Sequence, residues 1–495
     1  MSDTLKLYNS LKREKEEFKP ITEGFIGMYV CGPTVYNDVH LGNCRTFMSF
    51  DMIYRYLLHQ GYKIRYVRNI TDVGHLLDDG EDRILKGARL EQLEPMEVVQ
   101  KYTNGFHDMM DVFNTLRPSI EPRATQHIIE QIEMVESIMK NGFAYEKNGS
   151  VYFDTLKFAK DTNKYGELSG RVIEDLMSES RDDLKNQSEK NHPSDFAIWI
   201  KAAPEHIMKW SSPWSVGFPG WHLECSAMST KYLGETFDIH GGGNDLKFPH
   251  HENEIAQNVG SCGCSPANYW LHTNMLLMNG KKMSKSDGNT ISPEQLFTGD
   301  SPHVTKGYSP MAIKFFMLMA HYRSTIDLTD DALQAGEKGY KKLMEAGRSI
   351  DQLAASAEGE GSIDVQISNL RQLAYDDMND DFNTPKALSR LFEMVSIING
   401  LKGGQLSLND LSTSGLEMLK NTYHDFVHNI MGLKDDMVSN DQSEYMNGLM
   451  NLIIDIRKNA RETKDWGTSD KIRDVLKELE IQLKDGKDGT DWTIN

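Results

Sequence analysis

Phe25-Ile26-Gly27-Met28-Tyr29-Val30-Cys31, then Gly32-Pro33-Thr34 and, after five intervening residues, His40-Leu41-Gly42-Asn43, is the stretch that decides the fold. An apolar run of strand length ending in turn residues reads as a short buried strand. A helical pattern follows from about Leu41 to Gln60, and a second strand is expected near Tyr62 to Val67. Strand, loop, helix, strand is the opening of a parallel α/β unit. Open sheets of that kind take ligands in the loops at the carboxyl ends of their strands. A helix N-terminus there offers unpaired N–H groups and a positive dipole end, both suited to phosphate. Gly42 lacks a side chain, so a flat base can lie on the backbone, and His40 and Asn43 can donate to phosphate oxygens. Taken alone, a His-x-Gly after a strand is more often structural than functional.

The α/β texture continues downstream. Thr125 to Lys140 has the period of an amphipathic helix, with Thr125 as the expected cap and Gly142 as its stop. Arg171 to Pro193 is polar and charged, and reads as a loop or insertion. Thr236 to His240 reads as a core strand running into Gly241-Gly242-Gly243. After about Asp330 helical periodicity takes over. Thr384-Pro385 is expected to cap and open one helix and Ser469 to cap another, while Gly359 to Gly361 and Gly400 to Gly404 mark breaks.

Bulk properties bound the function. A chain of 495 residues suggests two to four domains, and 39% hydrophobic with 26% charged residues suits folded ones. No run approaches the ~20 apolar residues of a membrane span. Met1 to Pro20 is polar, with neither a signal core nor an Arg-rich leader, so a cytoplasmic location is expected. The net charge of −19 argues against non-specific polynucleotide binding. From Asn451 to Asn495, however, nine Lys/Arg face ten Asp/Glu, leaving a near-neutral tail that permits a nucleic-acid contact. Five cysteines, Cys31, Cys44, Cys225, Cys262 and Cys264, are too few and scattered for a disulfide framework, and their odd number fits a reducing compartment.

Two further constellations carry chemistry. Gly280-Lys281-Lys282-Met283-Ser284-Lys285-Ser286-Asp287-Gly288-Asn289 is either a solvated basic turn or a loop whose lysines and hydroxyls close on a triphosphate. The string Lys282 to Ser286, far downstream of His40 to Asn43, favours the second reading. Trp221 to Met228, His240 to Asp245 and Phe248 to Glu254 form the other. If Pro249 opens a helix, His250 and Glu254 share a face. With Cys31 and Cys225 they make four donors suitable for zinc, although each cysteine alone would more often be a small core residue. A zincin reading fails because Ile255 stands where the second histidine should be. Cys262-Gly263-Cys264 is one residue short of a zinc hairpin and reads as a loop.

His40-Leu41-Gly42-Asn43 and Lys282-Met283-Ser284-Lys285-Ser286 resemble the HIGH and KMSKS signatures of class I aminoacyl-tRNA synthetases, with Asn43 in place of the last histidine. The zinc strings, Asn69 to His75, Tyr165 to Ser169, His321 to Ser324, Asp380 to Pro385 and Asp488 to Trp492 resemble the cysteinyl-tRNA synthetases along nearly the whole chain. That resemblance implies an α/β fold: a class I Rossmann-like catalytic domain with an insertion, an α-helical bundle and a small C-terminal anticodon-binding domain. The corresponding segments are 1–120 and 196–262 for the catalytic halves, 121–195 for the insertion and 263–330 for the stem-contact region with the KMSKS loop. The bundle falls at 331–440 and the anticodon domain at 441–495. It also implies cysteine–tRNA ligation, with zinc on Cys31, Cys225, His250 and Glu254, one ion per chain, and magnesium accompanying ATP. His40, Asn43, Lys282 and Lys285 would be catalytic, Gly42, Ser284, Lys285 and Ser286 would bind ATP, and Thr71, Trp221 and Asp245 would line the cysteine pocket. The implied partners are L-cysteine, ATP and the cysteine tRNA, without a membrane, and a monomer is expected. Serine differs from cysteine by one small atom that shape cannot reject strongly, whereas zinc prefers a thiolate. The rival readings are a cysteine-activating ligase of the mycothiol pathway, which would lack an anticodon-reading tail, and a non-catalytic zinc-stabilised binding module.

Overall fold

A computed structural model describes residues 4–73, 83–171, 189–283, 288–354, 359, 361–479, 481–485 and 490–494. The chain divides into two compact units, Met1–Lys434 and Asp435–Asn495. Among the described residues no helix is long and apolar enough to cross a membrane.

The heart of the first unit is a four-stranded parallel sheet in the order Ala267–Thr273, Phe237–Gly243, Phe25–Val30, Lys63–Arg68. Phe25–Val30 is buried at every position after the first, as a strand covered on both faces requires. The Leu41–His59 helix crosses the sheet and buries Phe47, Phe50, Ile53, Tyr56 and Leu57. The glycine run explains how it fits so closely. A Cβ on Gly241 would lie 2.2 Å from the Phe50 ring, so the bare strand lets the helix seat. Gly241→Ala is therefore expected to cost about 1–3 kcal/mol through overpacking, read as a lower urea midpoint at unchanged slope.

An antiparallel sheet in the order Ala144–Lys147, Ser150–Phe153, Phe196–Lys201, Val216–Pro219, Trp210–Ser211 flanks this core. The sheet that begins in the 121–195 stretch thus runs on to Pro219. Residues 172–188, the middle of the charged segment expected to be a loop, lie outside the described residues. A smaller sheet joins Lys281–Lys282 antiparallel to Leu276–Met278, and Leu276–Met278 parallel to Ile326–Leu328. Helices Asp330–Gln352, Asp364–Asn379, Thr384–Lys402 and Thr413–His424 then pack as a bundle. The second unit pairs helices Met437–Glu462 and Trp466–Glu478 with the hairpin Ile481–Asp485 and Thr490–Ile494 around Met450, Leu476 and Ile481.

Three expected caps differ, two because a tertiary partner claims the hydroxyl and one because an earlier residue caps the helix. Ala124–His127 is a 3₁₀ turn and the helix proper is Ile128–Lys140. Thr125 instead gives its N–H and hydroxyl to the Asp72 carboxylate at 2.9 and 2.6 Å. Thr384 is the first residue of its helix and donates to the Leu318 carbonyl, while Asn383 caps by accepting from the Lys386 amide. Ser469 lies inside the helix that starts at Trp466, and Asp465 accepts from the Thr468 amide and hydroxyl. Cys262 ends the His250–Cys262 helix rather than lying in a loop, Gly263 turns the chain at φ +81°, and Cys262 is joined to Cys264 by a disulfide.

Candidate active site

A cleft of about 590 Å³ opens at the carboxyl ends of the parallel strands. Cys31, His40, Gly42, Asn43, Thr71, Trp221, Cys225, Asp245, His250 and Lys282 all line it. Residues far apart in sequence meet there because the parallel strands deliver their loops to one edge.

The loop after the first strand is tied down by the Asn69-Ile70-Thr71 segment. Gly32 donates to the Asn69 side chain at 2.8 Å, Thr71 donates its amide to the Pro33 carbonyl at 3.0 Å, and the Val35 amide reaches the Thr71 carbonyl at 3.2 Å. A Cβ on Gly32 would lie 1.6 Å from the Asn69 carbonyl oxygen, so this approach requires glycine. Extended His40 then caps the next helix. Its Nδ1 accepts the Asn43 amide at 3.3 Å, which leaves the proton of the neutral ring on Nε2. A Cβ on Gly42 would come within 3.0 Å of the same ring, so glycine also lets the histidine fold across the helix end.

Four donors gather at the base of the cleft. The Cys31 and Cys225 sulfurs are 3.8 Å apart, Cys31 Sγ is 3.5 Å from Glu254 Oε1, and His250 Nε2 is 3.1 Å from the same oxygen. All four residues are buried, and their donor atoms lie within 4.8 Å of one another. Tetrahedral zinc with bonds of about 2.0–2.3 Å needs donors roughly 3.3–3.8 Å apart, so two sulfurs, one nitrogen and one oxygen here fit that ion. His250 follows a cis peptide, Phe248–Pro249, and stacks on Trp221 with ring centres 4.5 Å apart. Its Nδ1 faces His222 Nδ1 at 2.9 Å, leaving Nε2 for a cation. Glu254 Oε2 pairs with His240 Nε2 at 2.8 Å, leaving Oε1 toward Cys31 and His250.

Burial dominates the electrostatics. It drives the Cys31 thiol well above its usual range, with Cys225 adding to the effect, and pushes Cys225 up to about 11. Both thiols therefore keep their protons until a cation takes their place. Burial lowers His222 and His272 to about 3, so both rings are neutral. It also raises the Glu224 carboxyl well above its usual range, with Asp72 adding repulsion. Thr71 donates its hydroxyl to this Glu224 at 3.1 Å.

The profile of the class I (C) tRNA synthetase catalytic domain matches residues 17–338, and that of the DALR domain matches residues 375–434. A cysteine–tRNA ligase from Bacteroides thetaiotaomicron is 52% identical over 500 residues, covering 100% of both chains. One from Parabacteroides distasonis is 53% identical over 499 residues with the same coverage. The chain belongs to the cysteine–tRNA ligase family. Mycobacterium tuberculosis methionyl-tRNA synthetase in complex with methionyl-adenylate superposes at a TM-score of 0.55 and 11% identity, covering 82% of this chain and 89% of that one, which establishes the shared class I fold.

Within this cysteine–tRNA ligase fold, Lys282 stands exposed at the mouth of the cleft beside Met283. Ser284, Lys285 and Ser286 of the KMSKS string lie outside the described residues. Sequence reading assigned no role to the histidines behind the donor set. His251 Nε2 is 3.3 Å from Cys31 Sγ, His251 Nδ1 pairs with His272 Nε2 at 2.8 Å, and His272 Nδ1 reaches Ser10 Oγ at 2.8 Å. Cys31, His240, His251 and Glu254 thus form a second, overlapping set of four donors. Cys225 and His250 open on the cleft, whereas His240 and His251 do not line it, so the first set is the one that can reach a substrate. The only sequence signal for this network was the density of histidine between His222 and His272.

Proposed function

We propose that this chain activates L-cysteine with ATP, giving cysteinyl-adenylate and pyrophosphate, and then passes cysteine to the 3′ end of the cysteine tRNA. The observation that carries this reading is that Cys31, Cys225 and His250, with Glu254 buried behind them as the fourth donor, open into the same cleft as the capped helix end at His40 to Asn43 and as Lys282.

A cysteine carboxylate oxygen attacks the α-phosphorus of ATP, the bond to the bridging oxygen breaks, and pyrophosphate leaves with that electron pair. No protein nucleophile takes part, so the residues act by positioning and by stabilising charge. The helix end at Leu41 and the Nε2–H of His40 face phosphate oxygens, and Asn43 adds a neutral donor. Lys282, with Lys285, Ser284 and Ser286, neutralises the charge that grows on the leaving pyrophosphate. Gly42 gives the nucleotide room to lie against the backbone. Magnesium arrives with ATP as part of the substrate. Cys31, Cys225, His250 and Glu254 hold zinc, which when bound supplies a soft Lewis acid that takes a thiolate in preference to a serine hydroxyl. Thr71, held by Glu224, and Trp221, stacked on His250, shape the cysteine pocket, and Asp245 offers a carboxylate to the substrate ammonium. ATP–pyrophosphate exchange tests the reading: it is expected to require cysteine and not to be supported by serine.

The second unit is read as the part that meets the anticodon. In it Trp466 is exposed beside Arg457, Lys458, Arg461 and one carboxylate, Glu462, around a hollow of about 310 Å³. An exposed aromatic among cations suits a stacked base and its phosphates. The helix Met437–Glu462 runs through Asn451, so the clean cut is after Lys434 rather than at Asn451. Truncation there is expected to spare pyrophosphate exchange and raise the tRNA KM roughly tenfold or more, since a stacked base contributes ~1–3 kcal/mol. Unchanged tRNA KM in a folded truncated protein would remove the assignment. The same reading has a monomer acting in the cytoplasm, which light scattering on the purified protein and cell fractionation check.

A further inference from the structure

Lys282 can act on a phosphate held at the Leu41 helix end only if two separate parts of the chain stay in register, and the structure contains a device that joins them. Arg45 lies one turn into the Leu41–His59 helix and is 2% exposed. Among the described residues its guanidinium donates to four main-chain carbonyls. Nη1 reaches Asn274 at 2.9 Å and Met275 at 2.5 Å, while Nη2 reaches His321 at 3.4 Å and also Ser324. These four carbonyls belong to the two segments that lead into the strands Leu276–Met278 and Ile326–Leu328, which pair in parallel. Asn274 ties the same segments together, its amide to the Tyr322 carbonyl and its side chain to the Arg323 carbonyl, each at 2.9 Å.

From that base a tight hairpin delivers the lysines. Asn279 and Gly280 turn at φ +52° and +75°, the Gly280 amide donates to the Asp327 carboxylate at 2.9 Å, and Lys281–Lys282 returns alongside Leu277 and Met278. Further along the chain, the Asn289 side chain donates to the Met278 and Lys282 carbonyls at 3.2 and 3.3 Å. The far side of the base is latched by Asp381. It is fully buried and accepts from Tyr322 OH at 2.7 Å, Arg323 Nε at 2.5 Å and the Tyr8 amide at 2.9 Å. Asp381 and Phe382 both sit in the left-handed region, at φ +66° and +53°. Two consecutive side-chain-bearing residues there are a strained arrangement that persists only where its surroundings hold it.

We infer that Arg45 and Asp381 are positioning residues for adenylation: Arg45 fixes the hairpin that carries Lys282 to the helix that begins the ATP site, and Asp381 holds the other edge of that hairpin's base from the helical bundle. The inference rests on the reading that Lys282 acts on ATP. Arginine is required because its planar fork reaches carbonyls of two segments at once, whereas a lysine ammonium offers one point of attachment.

A double-mutant cycle on the full-length protein tests this by pyrophosphate exchange. Arg45→Lys is expected to lower kcat about tenfold, with the cysteine KM and zinc content unchanged. On a Lys282→Ala background the same substitution should lower kcat by about threefold or less, because one of the lysines that depend on this hairpin is already gone. A residue that merely supports the fold would give losses that multiply. Asp381→Asn, which keeps a side chain tolerant of positive φ, runs the same cycle and carries the test if Arg45→Lys does not fold. Losses that multiply with Lys282→Ala, or no loss in either single variant, overturn the relay. A wild-type protein without cysteine-dependent exchange instead overturns the underlying reading, and the relay with it.

Discussion

Cys225→Ser or His250→Ala is expected to strip zinc from the purified protein and to lower cysteine-dependent pyrophosphate exchange by at least about a hundredfold. Replacing a residue behind a metal ligand already costs 10–100-fold, and removing a ligand costs more. The loss should fall on cysteine rather than on ATP, because the helix end at Leu41 and Lys282 are untouched by either change. His240→Ala and His251→Ala separate the two overlapping donor sets. An ion held by Cys31, Cys225, His250 and Glu254 survives loss of His251, weakened, but not loss of Cys225. Elemental analysis showing the reverse would move the ion to the inner set, away from the substrate. Stability adds a second readout. Burial raises both thiols, so the metal-free fold holds protons that the unfolded chain releases near pH 8.5. That contribution is complete below about pH 8.5 and declines as pH rises toward about 11, the folded value of Cys225. The chelated protein should therefore lose thermal stability across this window, while the zinc-loaded protein, whose thiols are already deprotonated, loses much less.

What could be read in the sequence divides by the range over which its cause acts. The strand at Phe25, the helix from Leu41 and the strand near Lys63 were legible because each rests on local periodicity and turn residues. The shared face of His250 and Glu254 followed from helical spacing once Pro249 opened the helix. Cys31 and Cys225 are different: one lies at a strand end and the other in a helix 194 residues later, and only the family resemblance brought them together. Arg45 carried no signal, since an arginine on a helix reads as solvated until the carbonyls around it are known. The caps at Thr125 and Thr384 failed for the same reason: tertiary partners, Asp72 and the Leu318 carbonyl, took the hydroxyls. At Ser469 the choice was local, and the carboxylate of Asp465 four residues earlier took the capping role.

Lys285→Ala is the other large effect expected: kcat for adenylate formation should fall roughly 10²–10³-fold, as when one preorganised group is removed from transition-state charge. Lys285 itself lies outside the described residues, but Lys282 before it lines the cleft and Asn289 after it is clamped to the Met278 and Lys282 carbonyls. Among the described residues that line the cleft, Lys282 is the only lysine or arginine, so a second cation has a large share in offsetting the charge that grows on pyrophosphate as its bond to the α-phosphorus breaks. An interaction made only at that moment lowers kcat and kcat/KM together and leaves ground-state binding alone. The cysteine KM should therefore stay within about threefold of wild type and zinc should remain stoichiometric, in contrast to the ligand variants. Lys285→Arg keeps the charge but changes the shape of the donor, and should recover part of the lost rate. Steady-state pyrophosphate exchange with cysteine and ATP varied separately measures all of this. A raised cysteine KM at unchanged kcat would place Lys285 in amino-acid binding instead, leaving Lys282 and the helix end at His40 to carry the phosphate chemistry.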